Sequence, residues 1–512
     1  MRTQKSLKNF IYGTVAQAVS SLINFTIRFV LIRTLGIEAV SLNGLFTEVI
    51  AVLSLAEMGA GTVIVYHLYA PLREENEKRL AQLMNLFRTT YRITALAVFV
   101  LGMVLLPFVH LLISRMEIQL WYLRTVYFLF LVQTASSYLL SYKACLLNAD
   151  QKGYLISKCT LFVRAASGGG SILFLLLTEN YIVYLLIQIL TTVINNLIIS
   201  ILADRQYPFL KGKDRLPAKE KREIFSNIKY LFVDVLSGKI INSTDNILIS
   251  TMAGTLQVGA YSCYTMIIHA LNSLLIQIYH ATMGGIGNLV AEGDNCHTET
   301  VLRRLTFITY CPAVFSAVGI YTVSSPFIRL LYGEEFLLPM PVVFVCAINF
   351  LIYLIKNPLW QVMAVSGMFA RNKNISLLGG ILNLLVSIIL GKRLGIMGIL
   401  LGTTGTLLVQ SILKAYFLFH EFLHLDDRAY IKLIIKETGT GIFCMLLAQG
   451  VCKALPASNQ YVQILVYGIC SEILTVGINI LAFHKTPEFK YVVEMGRRVC
   501  SDRKRDGRTI KW

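Results

Sequence analysis

The chain has 512 residues, of which 55% are hydrophobic and 15% charged, with a mean hydropathy of +0.63. Soluble proteins carry charge on about a quarter of their residues, so this composition excludes a soluble globular protein and defines an integral membrane one. The net charge of +18 lies mostly in short segments between apolar stretches, which is the pattern of membrane topology and not of nucleic-acid binding.

A membrane-crossing helix needs about 20 apolar residues. In chain order, about fourteen candidate spans occupy 10–34, 42–69, 93–114, 121–147, 154–177, 181–203, 229–252, 257–283, 305–325, 341–366, 374–391, 396–419, 434–455 and 461–483. The first is too long for a signal-peptide core and lacks an A-x-A site, so it is expected to remain as the first helix. With the N-terminus inside, 35 of the 47 Lys and Arg fall in inner segments and seven in outer ones. That asymmetry supports an even number of spans and cytoplasmic termini. The expected organisation is a first lobe at 1–203 and a basic cytoplasmic linker at 204–228. A second lobe at 229–424, two added spans at 425–484 and a basic tail at 485–512 follow, the tail resting on anionic lipid headgroups.

The two halves contain a repeat. A shift of 218 residues sets NFTIRFVLIRTLGIEAV (24–40) over NSTDNILISTMAGTLQV (242–258), matching Asn24 with Asn242, Thr26 with Thr244, Gly36 with Gly254 and Val40 with Val258. Both stretches end the first helix of their half. Transporters are often built from such repeats, with the binding site where the repeats meet.

The stretches RFVLIRTLGIEAVSLNGLFTEVIAVLSLAEMGAG, YLLSYKACLLNADQKGY, IINSTDNILIS and GIMGILLGTTGTLL resemble the corresponding parts of Wzx-type polysaccharide flippases, the polysaccharide transporter branch of the MOP superfamily. The resemblance runs from about residue 5 to 425. It implies an all-α fold with two six-helix lobes around a central cavity, the last two spans being additions. It further implies export of undecaprenyl-pyrophosphate-linked oligosaccharides across the bacterial cytoplasmic membrane by alternating access, in O-antigen, capsule or related synthesis. Partners would then be the lipid-linked oligosaccharide, membrane lipids, and a polysaccharide polymerase and glycosyltransferases.

The chemistry of such a cargo can be sought in the residues. A pyrophosphate moving through hydrocarbon needs fixed cations lining a wet path. Arg164, Lys239 and Lys356 lie near the middle of their spans, where a charge costs about 2.5–3.5 kcal/mol on insertion scales. All three are candidate substrate-binding residues, although Asp234 and Asp245 are within helical reach of Lys239. On the seventh span Lys239, Asn242 and Asn246 form one polar stripe, with Asp245 on its flank as a candidate ion-coupling site. The asparagines could bind sugar or hold helices together. On the first span Gln17, Ser21, Asn24 and Arg28 form a second stripe. Arg28 stands at its outer end, either holding pyrophosphate bidentately or snorkelling to the surface. The resemblance favours the first reading, since members of that family often carry a basic residue here.

Other features point to structure or to other classes. Gly168, Gly169 and Gly170 are expected to permit close helix approach or a bend. Glu48 and Glu57 fall on opposite helix faces and form no acid–base pair. HEFLH at 420–424 fits H-E-x-x-H, the zinc signature of a metalloprotease, but a third ligand would have to be Asp426 or Asp427 at the membrane surface. An inert motif is expected, and an intramembrane metalloprotease is the remote alternative. The ten cysteines have no metal-ligand spacing and no P-loop occurs, so no cofactor and no enzyme activity are expected. The nearer alternative is a MOP exporter of a drug or a peptidoglycan lipid precursor.

Overall fold

In lipid, a backbone can satisfy its hydrogen bonds along an apolar run only by forming a helix or a closed barrel. Every regular element among the described residues is helical. The structure, a computed structural model, describes residues 2–53, 67–68, 71–114, 116–150, 152–211, 216–217, 220–221, 224, 244–455 and 459–506. The helices are α1 (Arg2–Leu53), α2 (Glu77–Leu105), α3 (Leu120–Ala149), α4 (Gly153–Thr178), α5 (Tyr181–Gln206), α6 (Thr255–Glu292) and α7 (Asn295–Tyr332). They continue as α8 (Met340–Val365), α9 (Phe369–Leu394), α10 (Ile396–Phe417), α11 (Arg428–Ala454), α12 (Gln460–Phe483) and α13 (Pro487–Asp506).

Nine helical segments among the described residues are long and apolar enough to cross a membrane. One of them, Val15–Leu53, includes most of the first expected span and the start of the second, whose residues 54–66 lie outside the described residues. α3 and α11 stand at the fourth and thirteenth positions. The outer faces are apolar, as lipid requires. On α12 Leu465, Ile469, Ile473, Val476 and Ile480 are exposed at helical spacing, and on α2 Ile93, Leu96, Val100 and Val104 do the same.

The chain forms two compact units, residues 1–263 with 376–399, and residues 264–375 with 400–512. This division differs from the lobes expected at 1–203 and 229–424. Side-chain hydrogen bonds give the reason. Thr244 reaches Asn383 at 3.5 Å, and Ser250 donates to the Leu112 carbonyl at 2.6 Å. The Ser114 backbone N–H in turn donates to Thr255 Oγ1, at the start of α6, at 2.9 Å. Residues 244–262 and most of α9, from 376 on, are thereby held in the first unit.

Within that unit the repeat is visible as geometry. Gly36 interrupts α1 with φ of 72°, and Gly254 precedes α6 with φ of 121°. Both values lie where a side chain is strained, so the shared glycine marks the same break in each half. Four residues on, Val40 and Val258 are both fully buried. The helical stretches after the breaks then meet through small residues. A Cβ on Gly44 would lie 3.1 Å from Ser262 Cβ, and Gly259 approaches Ser41 so closely that a Cβ there would clash with its hydroxyl. Gly44 matches Ser262, and Ser41 matches Gly259, under the same 218-residue shift. Repeat-equivalent positions therefore face each other.

The core of the second unit gathers Leu302, Leu305, Leu359, Met363, Leu418, Phe419 and Tyr430, all buried. Arg303 at the start of α7 donates to Glu488 of α13 at 2.9 Å, which docks the C-terminal helix.

Candidate functional site

The first unit encloses a cavity of about 580 Å³ between α1, α3, α4 and α5, within the ~300–1,000 Å³ usual for small-molecule sites. Two helix contacts set its shape. Gly168 of α4 lets Ile23 of α1 approach so closely that an added Cβ would lie 2.6 Å from Ile23 Cγ2. Gly169 and Gly170 meet nothing within 4 Å, so only the first of the three glycines serves the close approach. On the other side Asn196 of α5 donates to the Ser137 carbonyl of α3 at 2.9 Å, and Gln133 reaches Thr192 at 3.5 Å.

The lining is amide and hydroxyl. α1 contributes Asn24, α3 contributes Gln133, Ser137 and Tyr138, and α5 contributes Tyr184, Gln188, Thr191, Thr192, Asn195 and Asn196. These α5 positions recur at three- and four-residue steps, which puts them on one face. Arg164 of α4 is the sole charged side chain among the lining residues, and no carboxylate lines the cavity. Among the described residues Arg164 makes no ion pair and its side chain no hydrogen bond, and the buried Asn195 Oδ1 has no partner. A wall of this kind presents hydroxyl donors, amide donors and acceptors, one guanidinium and phenol rings. It suits a neutral polyhydroxylated ligand carrying a negative charge at one end.

Of the residues singled out in the sequence, Asn24 and Arg164 line this cavity, whereas the amides and hydroxyls of α3 and α5 were not singled out. Their signal was present as Gln133, Ser137 and Ser141 at four-residue steps inside an apolar run. Arg28 is one turn from Asn24 but does not line the cavity. It is half-buried, its Nη1 donates to Ser262 Oγ at 2.9 Å and contacts Cys263 Sγ at 3.8 Å, and it lies within electrostatic reach of Tyr184. Asn246 is buried and donates to the Gly44 carbonyl at 3.5 Å, beside the small-residue contact of the repeat. Asp245 is buried next to it. Lys239 and Asn242 lie outside the described residues.

Lys356 belongs to the second unit. Its ammonium donates to Gln410 Oε1 of α10 at 2.8 Å and stands 5.8 Å from the Tyr353 ring, with buried Lys414 close enough to act on it electrostatically. The HEFLH stretch closes α10 with a π-turn, Leu418–Leu423, and His424 takes φ of 54°. His420 stacks on Tyr416 at 4.4 Å, and Glu421 is ion-paired with Arg371 at 2.7 Å. Among the described residues no group of three metal-ligating side chains comes together.

A further cation escaped the reading of the sequence. Lys143, counted there with the inner segments, is buried in α3, where its ammonium donates to Ser200 Oγ at 2.7 Å and to both carboxylate oxygens of Asp204 at 2.7 and 2.8 Å.

Helices packed in this order, with a polar cavity and lipid-facing apolar stripes, define a multi-pass membrane transporter fold. Comparison with solved structures agrees. A lipid II flippase, MurJ, in an inward closed conformation superposes with a TM-score of 0.65 at 13% identity, over 93% of this chain and 99% of that one. An inward-facing multidrug resistance MATE transporter of the MOP superfamily gives 0.60 at 14% identity, over 83% and 99%. A MOP superfamily transporter from Pyrococcus furiosus gives 0.56 at 14% identity, over 84% and 96%. Among curated proteins, none matches by sequence. The polysaccharide biosynthesis protein family matches residues 6–283, and the chain belongs to that family.

Proposed function

We propose that this protein is a flippase that carries an oligosaccharide linked to undecaprenyl pyrophosphate across the bacterial cytoplasmic membrane by alternating access. Family membership supports the substrate class, and one observation in the structure carries the reading furthest. The cavity of the first unit combines a dense amide and hydroxyl lining with a single guanidinium, unpaired among the described residues, and no carboxylate among the lining residues. Sugar hydroxyls both donate and accept hydrogen bonds, which the amides of Gln133, Gln188, Asn195 and Asn196 can reciprocate. Arg164 would meet the pyrophosphate, and its planar fork matches two phosphate oxygens at once. A cationic drug finds no counter-charge in that lining.

Arg28, Lys239 and Lys356 are proposed as further cations on the path of the pyrophosphate, with Asn24, Asn242 and Asn246 on the sugar side and Asp245 as the ion-coupling acid. Both termini are proposed to be cytoplasmic.

The test is reconstitution in vesicles containing a fluorescent polyprenyl-pyrophosphate-linked oligosaccharide, with a membrane-impermeant glycosidase added outside. Wild-type protein should expose the labelled lipid to cleavage, and Arg164→Ala should slow exposure at least tenfold, consistent with loss of a charge-assisted contact of about 1.5–3 kcal/mol. Equal exposure in vesicles with and without protein would overturn the assignment.

A further inference from the structure

A second cavity, of about 560 Å³, lies elsewhere in the first unit, where α2 meets residues of the 204–228 linker. Its chemistry differs from that of the cavity around Arg164. Gln82, Asn85, Thr89 and Arg92 line it from α2 at steps of three and four residues, so they form one helical face. Arg88 adds a second guanidinium one turn before Arg92, and Lys221 adds an ammonium from the linker. No carboxylate is among the lining residues.

Both acids among the described linker residues are already engaged, Asp204 with Lys143 and Glu220 with Arg79. Glu220 forms an ion pair with Arg79, on the turn of α2 before Gln82, and this contact holds the linker against the helix. Arg88 and Arg92 are exposed and make no ion pair or side-chain hydrogen bond among the described residues. Two guanidinia one turn apart repel each other, and a structure that holds them together in a concave space gains most when an anion enters.

The depth of this cavity identifies the anion. Ile93, Leu96, Val100 and Val104 are 50–64% exposed and form the lipid-facing stripe of α2, which begins one residue after Arg92. Arg88 and Arg92 therefore stand where the apolar belt ends, the level at which lipid phosphates lie. We propose that this cavity binds the phosphate of a lipid headgroup at the membrane surface, through Arg88 and Arg92. Its occupant is either the pyrophosphate of a polyprenyl lipid or the phosphate of an anionic phospholipid, both of which offer the same oxygens to the guanidinia. In the first case the cavity is a loading station for the cargo, and in the second it anchors the protein in the surrounding leaflet.

The full-length protein in nanodiscs of zwitterionic lipid would be titrated with a short-chain prenyl pyrophosphate in one arm and phosphatidylglycerol in another, with inorganic pyrophosphate as competitor. Bound lipid would be counted by native mass spectrometry. At least one lipid should bind and be displaced by pyrophosphate. Arg88→Gln with Arg92→Gln should weaken it about tenfold or more, as expected for losing charged hydrogen bonds. Arg88→Lys with Arg92→Lys keeps both charges and should restore most of the binding, which separates loss of the site from loss of the fold. Binding of prenyl pyrophosphate alone assigns the loading role, and binding of phosphatidylglycerol assigns the anchor. Wild-type affinity in a folded Gln variant for whichever lipid the wild type binds would overturn the proposal, as would binding of neither lipid by the wild type. The vesicle assay of transport is a separate readout, so failure there would leave this site standing.

Discussion

Gly44 and Ser262 stand 218 residues apart in the chain and face each other in the fold, with an added Cβ at Gly44 only 3.1 Å from Ser262 Cβ and 3.2 Å from Val258 Cγ1. The contact joins equivalent positions of the internal repeat. It leaves no room for a branched side chain, and overpacked sites of this kind cost about 1–3 kcal/mol. Gly44→Val is therefore expected to lower the melting temperature of the purified protein by several degrees. Gly169→Ala, at a position open to 4 Å, should leave it unchanged. Equal melting temperatures for the two variants would remove the packing argument.

The same serine receives Arg28. A guanidinium donates from several N–H groups, and the hydrogen bond from Nη1 to Ser262 leaves the rest of the fork available. Arg28→Ala is expected to abolish export while the protein reaches the membrane at wild-type abundance, and Arg28→Lys to keep part of it, since a point charge imitates a fork incompletely. Ser262→Ala removes one hydrogen bond to a charged group, worth about 1.5–3 kcal/mol, and should reduce export without abolishing it. Normal export by Arg28→Ala at equal abundance would show that Arg28 is a structural anchor.

Lys143 and Asp204 form a pair in which the lysine is buried and the aspartate more than a third exposed. Removing either partner strands the other. For a fully buried pair that costs about 3–5 kcal/mol. Water at Asp204 screens part of it, so about 1–3 kcal/mol is expected for Lys143→Met. The double variant Lys143→Met with Asp204→Asn should recover part of the loss. Thermal unfolding in detergent measures both, and a double variant less stable than the sum of the singles would contradict the pairing.

His420 and His424 each place Nδ1 against a backbone carbonyl, at 3.0 Å from Tyr416 and 3.1 Å from His420 respectively. Replacing both with Ala is expected to leave export near normal. His424→Gly relieves a left-handed backbone position and should stabilise the protein by about 1 kcal/mol. Loss of export together with stoichiometric zinc in the wild type would instead make the motif functional.

The approximate helix positions and the repeat that pairs Gly36 with Gly254 could be read from the order of residues alone. Each depends on local periodicity or residue identity, and the positive φ that both glycines take is seen only in the folded chain. Arg164 and Asn24 were also legible, because a charge or amide in an apolar run must face protein or water. The partners of those residues required the folded chain. Gln188 and Asn195 gain meaning only when α5 packs beside α3 and α4, and Arg28 meets Ser262 across 234 residues. Lys143 looked like a topology signal until Asp204 closed on it from α5. Periodicity is a property of one helix, whereas a cavity or an ion pair belongs to several, and the choice of neighbours is made by contacts far apart in the chain.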